Sequence, residues 1–434
     1  MQSNTHKTSG NMDEPSPEIG ERQRFSMRNL KTFKSFKNPV FALYFGGLLG
    51  QMVGVNMQMM TRSFLVYELT NSAFLLGTMS LFFAVPMVLF SLFGGVIADR
   101  IQKKYIMLYG QAASAIVSAT IGFTLLTGLL TAENPWSWWI LGASSFFQGI
   151  IMALMMPAMQ AIIPEIVEGE DLMNAISLNT MGMNTLRLLA PAAAGFLIDY
   201  VGYEAVYFTT AVAYLISVVF IFFLPKTSTI KKTTTDVLSS MKEGIRYLKK
   251  EKTILLIMGF TLVITILAMP FQQLLPIFVV DILHKTPQAG GFLMSVSGIG
   301  SIISSLILAS LPNKRRGLMM LGGNIVLGVA LFSFALSTSY PLSLVLIGFV
   351  GVGQMIQMAL GTTLIQYYSD PVYIGRLMSI MMMQFGLMSF STFLAGALTE
   401  LTGNVQWAIG GLALILVVLS VSAIIFMKRI RNLE

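Results

Sequence analysis

The stretch GGVIADRIQKKYIML, residues 94–108, ends an apolar run in two glycines, an Asp-Arg and two lysines, and then opens another apolar run. It reads as a tight turn between two membrane helices. Gly94 and Gly95 let two helix backbones come close, and Asp99 is placed to meet the positive end of a helix. Arg100, Lys103 and Lys104 would hold the turn on the cytoplasmic side of a bilayer.

The rest of the chain has the composition that such a turn needs. Its 434 residues are 55% hydrophobic and only 11% charged, with a mean hydropathy of +0.73. A soluble protein covers itself with more charge than that. Hydrocarbon satisfies no backbone polar group, so membrane spans are helices or closed barrels, and apolar runs of ~20 residues without strand-like alternation select helices. The expected class is an all-α integral membrane protein. The formal charge of +8 is gathered in short segments between spans: Arg22 to Lys37, Arg100 to Lys104, Lys226 to Lys252, Lys314 to Arg316, and Lys428 to Arg431. With a cytoplasmic N-terminus, nearly every basic residue falls on one side, leaving Lys285 and Arg62 opposite. That asymmetry is the positive-inside pattern, and it accounts for the basic residues without a nucleic-acid partner. The absence of cysteine excludes a disulfide framework and a thiolate metal site, and no cofactor is implied.

Taken in order, residues 1–37 are polar and carry both charge signs, which predicts a disordered cytoplasmic tail. Spans are expected from Pro39 to about Tyr67, Ser72 to Ala98, Lys104 to Leu130, from the Trp136, Trp138, Trp139 cluster onward, Leu172 to Tyr200, and Tyr203 to Leu224. The second set runs near Ile254 to Val280, Gln288 to Leu311, Gly317 to Ser337, Pro341 to Tyr367, Pro371 to Leu401, and Val405 to Met427. Twelve spans thus divide into six-helix halves, 38–225 and 253–428, around a basic linker, 226–252, with a short cytoplasmic tail at 429–434. Within the linker Val237, Leu238, Met241, Ile245 and Leu248 recur at helical spacing among lysines, predicting an amphipathic helix on the membrane surface that tethers the halves or regulates them. Asn174-Ala-Ile-Ser-Leu and Arg376-Leu-Met-Ser-Ile open the fifth and eleventh spans, an internal echo that points to a transporter with its site between the halves.

The pattern Gly95-x-x-x-Asp99-Arg100-x-x-Lys103-Lys104 after a second span resembles the loop signature of the major facilitator superfamily of secondary transporters. Residues 155–198, MMPAMQAIIPEIVEGEDLMNAISLNTMGMNTLRLLAPAAAGFLI, are similar to the subfamily of enterobactin exporters and macrolide efflux proteins. Pro157 and Gln160, Pro164-Glu165, Glu170-Asp171-Leu172, Asn174-Ala175 and Arg187 carry that likeness. Ala190, Pro191, Ala194 and Gly195 resemble the proline-glycine signature of antiporters, with alanines in two glycine places. The resemblance implies a twelve-helix fold, alternating access, proton antiport, and a conformational role for the loop motif. Asp99 would then act at the N-terminus that Asp370-Pro371 makes, near Arg376, on one side of the molecule only.

Arg187 stands about fifteen residues into its span, near the bilayer midplane, where an arginine must face water or a partner. It could bind an anionic substrate group, pair with a protonatable residue, or tie down carbonyls. Gln51, Val55, Gln58 and Arg62 form a polar stripe on the first span that should line a cavity, although Arg62 could instead snorkel outward. Asn184, Gln148, Gln272, Gln273, Gln354 and Gln357 are further cavity candidates. The 31 methionines suit adaptable apolar binding as well as plain packing. No carboxylate sits near a midplane, so Glu68 and Asp199, beside the spans that carry Arg62 and Arg187, are the coupling candidates. The expected function is a secondary exporter of hydrophobic or amphipathic small molecules, drug- or macrolide-like or siderophore. It would be a monomer in the cell membrane, with protons and lipid as partners and both termini cytoplasmic. An importer or facilitator, a channel and a membrane-embedded enzyme are the alternatives. No phosphate loop supports an ATP-driven pump.

Overall fold

The computed structural model describes residues 34–134, 136–167, 169, 171–226, 237–312, 314–382, 384–431 and 433. Among these residues there is helix and no strand. The first six helices are α1 (Pro39–Thr70), α2 (Ala73–Arg100), α3 (Lys103–Leu126), α4 (Trp138–Ile166), α5 (Asp171–Tyr200) and α6 (Tyr203–Phe222). A linker helix, α7 (Val237–Lys250), follows. Then come α8 (Lys252–Ala268), α9 (Pro270–Ile277), α10 (Pro287–Ser310), α11 (Arg316–Leu336), α12 (Tyr340–Tyr368), α13 (Pro371–Met382), α14 (Gln384–Thr402), α15 (Val405–Phe426) and α16 (Lys428–Arg431).

Among the described residues, eleven stretches are long and apolar enough to cross a membrane. The remaining expected span, the eleventh, Pro371 to Leu401, is described as α13 and α14 on either side of residue 383. The seventh departs from the expected continuous helix. Pro270 has no N–H to give, so the chain breaks between α8 and α9, and a π-helical turn at Phe278–Ile282 completes the crossing.

Local chemistry sets the ends. Asn38 caps α1, its Oδ1 accepting from the Val40 N–H at 2.9 Å, with Pro39 in the first turn. Asn71, in the left-handed region at φ 46°, ends α1, and Ser72 caps α2 through the Leu75 N–H at 3.2 Å. Asn404 caps α15 in the same way. Such caps matter in a bilayer, where no water meets a free N–H.

The ends define two faces. The α2–α3 turn, α7 and α16 carry Lys103, Lys104, Lys249, Lys250 and Lys428 on one, here the basic face. The opposite, far face carries all four tryptophans: Trp136, Trp138 and Trp139 at the start of α4, and Trp407 at the start of α15. The described chain begins at Lys34, inside the segment expected to be a disordered tail. A 3-10 turn at Lys34–Lys37 docks on α5: Ser35 donates from N and Oγ to Asn174 Oδ1 at 3.0 and 2.7 Å, and Lys34 pairs with Asp171 at 2.7 Å. The C-terminal residues also pack, the Gly317 N–H donating to the Leu433 carbonyl at 3.1 Å.

In the first set α2 lies on α4, α3 on α6, and α1 on α5 and α6; in the second α12 lies on α10 and α11, and α11 on α15. Two pairs join the sets most extensively, α5 with α10 and α2 with α14, and α9 also meets α1 and α2.

Candidate site: a polar cavity between the halves, shut at the far face

The two joining pairs meet through small residues. A Cβ on Gly291 of α10 would stand 2.5 Å from the Pro191 carbonyl oxygen, and one on Gly77 of α2 would stand 2.8 Å from Phe393 Cα. On α5, Ala190, Pro191, Ala194 and Gly195 are buried, and Gly195 faces the Gln288 backbone. Polar bonds join the same end. Ser63 donates to Gln273 Oε1 at 2.8 Å, Ser295 to the Leu188 carbonyl, Tyr67 to Asp281, and Ser72 to Glu400 at 3.2 Å; the Gln288 N–H donates to Asp199 Oδ1 at 3.4 Å. All of these lie toward the far face.

One stripe of α5 records where the seam stops. Met183, Arg187, Ala190, Ala194 and Ile198 share a face at helical spacing; the last three are buried, whereas Arg187 and Met183 are exposed. Asn184 is exposed beside them. The direction that is sealed in the outer turns of α5 is open one turn below Pro191, toward the basic face.

A cavity of about 200 Å³ lies between α1, α2 and α4 of the first set and α9 and α14 of the second. Gln58, Arg62 and Gln148 line it. Arg62 does not snorkel to the far face: its Nη1 donates to Ser145 Oγ at 3.2 Å, and its guanidinium sits 5.6 Å from the Phe83 ring centre. Gln58 Oε1 accepts from the Tyr214 hydroxyl at 3.2 Å. Gln148 Nε2 donates to Ser114 at 3.2 Å, which leaves its buried Oε1 without a partner.

The other candidates scatter around this centre. Gln51 is buried between α1 and α4, donating to the Met159 sulfur at 3.0 Å. Gln272 donates to Gln354 Oε1 at 3.5 Å, and Gln357 donates to the Thr261 carbonyl at 3.3 Å, tying α12 to α8. Both coupling candidates are exposed at the far face: Glu68 stands beside the Tyr203 hydroxyl, and Asp199 meets α10.

The loop motif engages its own half. Lys103 pairs with Glu165 at the end of α4, and Lys104 donates to the carbonyls of Phe222 and Leu224, where the α6 dipole is negative. Gly94 lets α2 touch the Ala153 carbonyl of α4, while Arg100 is exposed. The proposed Asp99 contact lies outside the described residues, as does Gly95 beyond its helical backbone. Near the start of α13 the partners come from the linker: the Asp370 N–H donates to Tyr247 Oη at 3.0 Å, and Arg376 pairs with Glu243 at 2.8 Å.

Sequence reasoning missed Ser80, Phe83, Met87, Ser389 and Thr392, which line the cavity. The internal echo held a signal for one of them. Arg187 follows Asn174 by the same interval that separates Ser389 from Arg376. Likewise Gln148 follows Gly142 as Gln354 follows Gly348.

The fold has known counterparts. A family description, Major Facilitator Superfamily, matches residues 43–392 and 274–432. The Staphyloferrin A transporter of Staphylococcus aureus is 25% identical over 86% of this chain and 91% of that protein. Macrolide efflux protein A of Streptococcus pyogenes is 22% identical over 81% and 86%, and the enterobactin exporter EntS of Citrobacter koseri is 26% identical over 80% and 81%. The solved structure of a bacterial homologue of the iron transporter ferroportin, in an inward-facing state, superposes with a TM-score of 0.70 at 17% identity, covering 90% of this chain and 98% of that one. The chain belongs to the Major Facilitator Superfamily of membrane transporters.

Proposed function

We propose that the chain is a secondary active exporter of hydrophobic or amphipathic small molecules, in the range from drug- or macrolide-like compounds to siderophores, working by alternating access with proton antiport. It sits in the cell membrane as a monomer, with its basic face and both termini in the cytoplasm. The observation that carries the reading is the cavity lined by both halves and closed at the far face by the α2–α14 and α5–α10 seams, while α5 exposes Arg187 and Met183 nearer the basic face. A cytoplasmic molecule could enter there, and rocking of the halves would turn it outward. Among the described residues, Lys103 and Lys104 bind within the first half, and Arg376 of the second pairs with Glu243 of the linker helix.

Coupling is assigned to the far face. Asp199, Asp281 and Glu400 each accept a hydrogen bond across the seam, so opening it hands these carboxylates to external water. Glu68 lies in the same belt.

Everted membrane vesicles, offered a panel of labelled drugs and siderophores, test the reading. Accumulation that collapses with an uncoupler is expected. Accumulation indifferent to the uncoupler rules out proton-driven export, and uptake only into right-side-out vesicles makes the chain an importer.

A further inference from the structure

We propose that the cavity is an anion site: it takes a small amphipathic molecule bearing a carboxylate, whose charged group seats on Arg62. The claim deepens the export reading for the substrate, but the binding it predicts stands whether or not the chain exports. A guanidinium offers five donors in a planar fork that matches a carboxylate, and Arg62 spends one of them, on Ser145. Arg62 lies eight residues from the end of α1, about 12 Å below the far face by the helical rise. Among the described residues no carboxylate lines the cavity. Holding a cation at such depth without a counter-ion is costly, and a bound anion removes the cost.

The surroundings fit the same ligand. Ser80 Oγ, buried in the cavity wall without a hydrogen-bond partner, is a second donor for an anionic oxygen. Gln148 Oε1, also unpartnered there, would accept from a ligand hydroxyl or amide. Met59, Met87, Met152 and Met388 make the rest of the wall soft and apolar, suited to a hydrophobic body of variable shape. Arg187 on α5 is a second exposed cation with no described acid beside it, so its field also favours an anion. A cationic amphipath meets repulsion at Arg62.

The test is equilibrium dialysis of the full chain in phosphatidylcholine nanodiscs, where no lipid anion competes, with naphthoate, its methyl ester and naphthylmethylamine. Naphthoate should bind at least ~tenfold tighter than the other two, as expected for a charge-assisted bidentate pair. In Arg62→Gln its affinity should fall to that of the ester while ester binding stays put, and Arg62→Lys should keep part of the preference. An amine or ester that binds as tightly as the acid overturns the proposal, and so does an acid preference that survives Arg62→Gln. If Arg62→Gln fails to fold, the comparison of the three probes on the unaltered chain still decides. Acid-selective binding without uptake into everted vesicles would sink export and leave the anion site standing; uptake of the amine with no acid-selective binding would do the reverse.

Discussion

At the scale of single residues, the chain separates charges that hold the structure from charges that await something. Lys103 and Glu165 are the first kind, with side chains 14% and 23% exposed. Lys103→Met should cost about 1–3 kcal/mol, between the worth of an exposed pair and a buried one, and lower the melting temperature in detergent. Lys103→Met with Glu165→Leu should recover most of the loss, since the acid is then no longer stranded. Arg187 is the second kind, with no described partner and an open face. Arg187→Ala should abolish transport in vesicles while insertion and melting stay close to the parent; an active, correctly inserted variant would refute its role. Residues of this second kind were legible in the sequence because an arginine deep in a span has so few places to go. Arg62 was half legible: its position allowed either snorkelling or a cavity, and only the Ser145 and Phe83 contacts from other helices choose. Ser80 and Thr392 were not legible at all, since a hydroxyl in a span can satisfy itself on its own helix, as Thr392 does on the Met388 carbonyl at 2.9 Å.

At the scale of elements, apolar runs and caps gave the spans, because a bilayer leaves each helix one length and its ends few polar groups to choose from. Breaks were harder to see. Pro270 stands where the seventh span breaks, whereas Pro191 lies inside an unbroken fifth helix, so a proline in the sequence does not by itself locate a break. The seams depend on glycines in the same contextual way. Gly291→Val should hold α10 off the Pro191 carbonyl, slow transport severalfold and leave membrane insertion unchanged. Gly259, with nothing within 4 Å of its missing Cβ, should accept Ala and gain about 0.5–1 kcal/mol from helix propensity. Equal transport by the two variants would mean that the α5–α10 approach has no mechanical role. The amphipathic linker was readable as a helix, yet its docking was not. Tyr247 stacks on Tyr373 at 4.1 Å with planes 5° apart, and Glu243 holds Arg376, so α7 is clipped to the start of α13. Tyr247→Ala should free α7, seen as faster proteolysis between the halves.

At the scale of the whole molecule, the seam bonds and the exposed stripe of α5 describe one arrangement of the halves, and the proposed alternating access requires a second. In the sealed state Ala194 is fully buried in the far-face seam, whereas Asn184, ten residues earlier on the same helix, is exposed toward the basic face. The chain has no cysteine, so a single introduced thiol reports one position without background. In right-side-out vesicles, Ala194→Cys should react with a membrane-impermeant maleimide at least ~tenfold more slowly than Asn184→Cys does in everted vesicles, because a minor open state is populated at only ~0.1–10%. Adding Gly291→Val or Tyr67→Phe, which weaken the seam from opposite helices, should raise the Ala194→Cys rate and lower the Asn184→Cys rate together. The reciprocity is the point: two independent gates could open at once and would show one rate rising with the other unchanged, whereas a rocking pair of halves trades one opening for the other. Concurrent rises at both sites would therefore identify a channel-like pore and remove alternating access from the account.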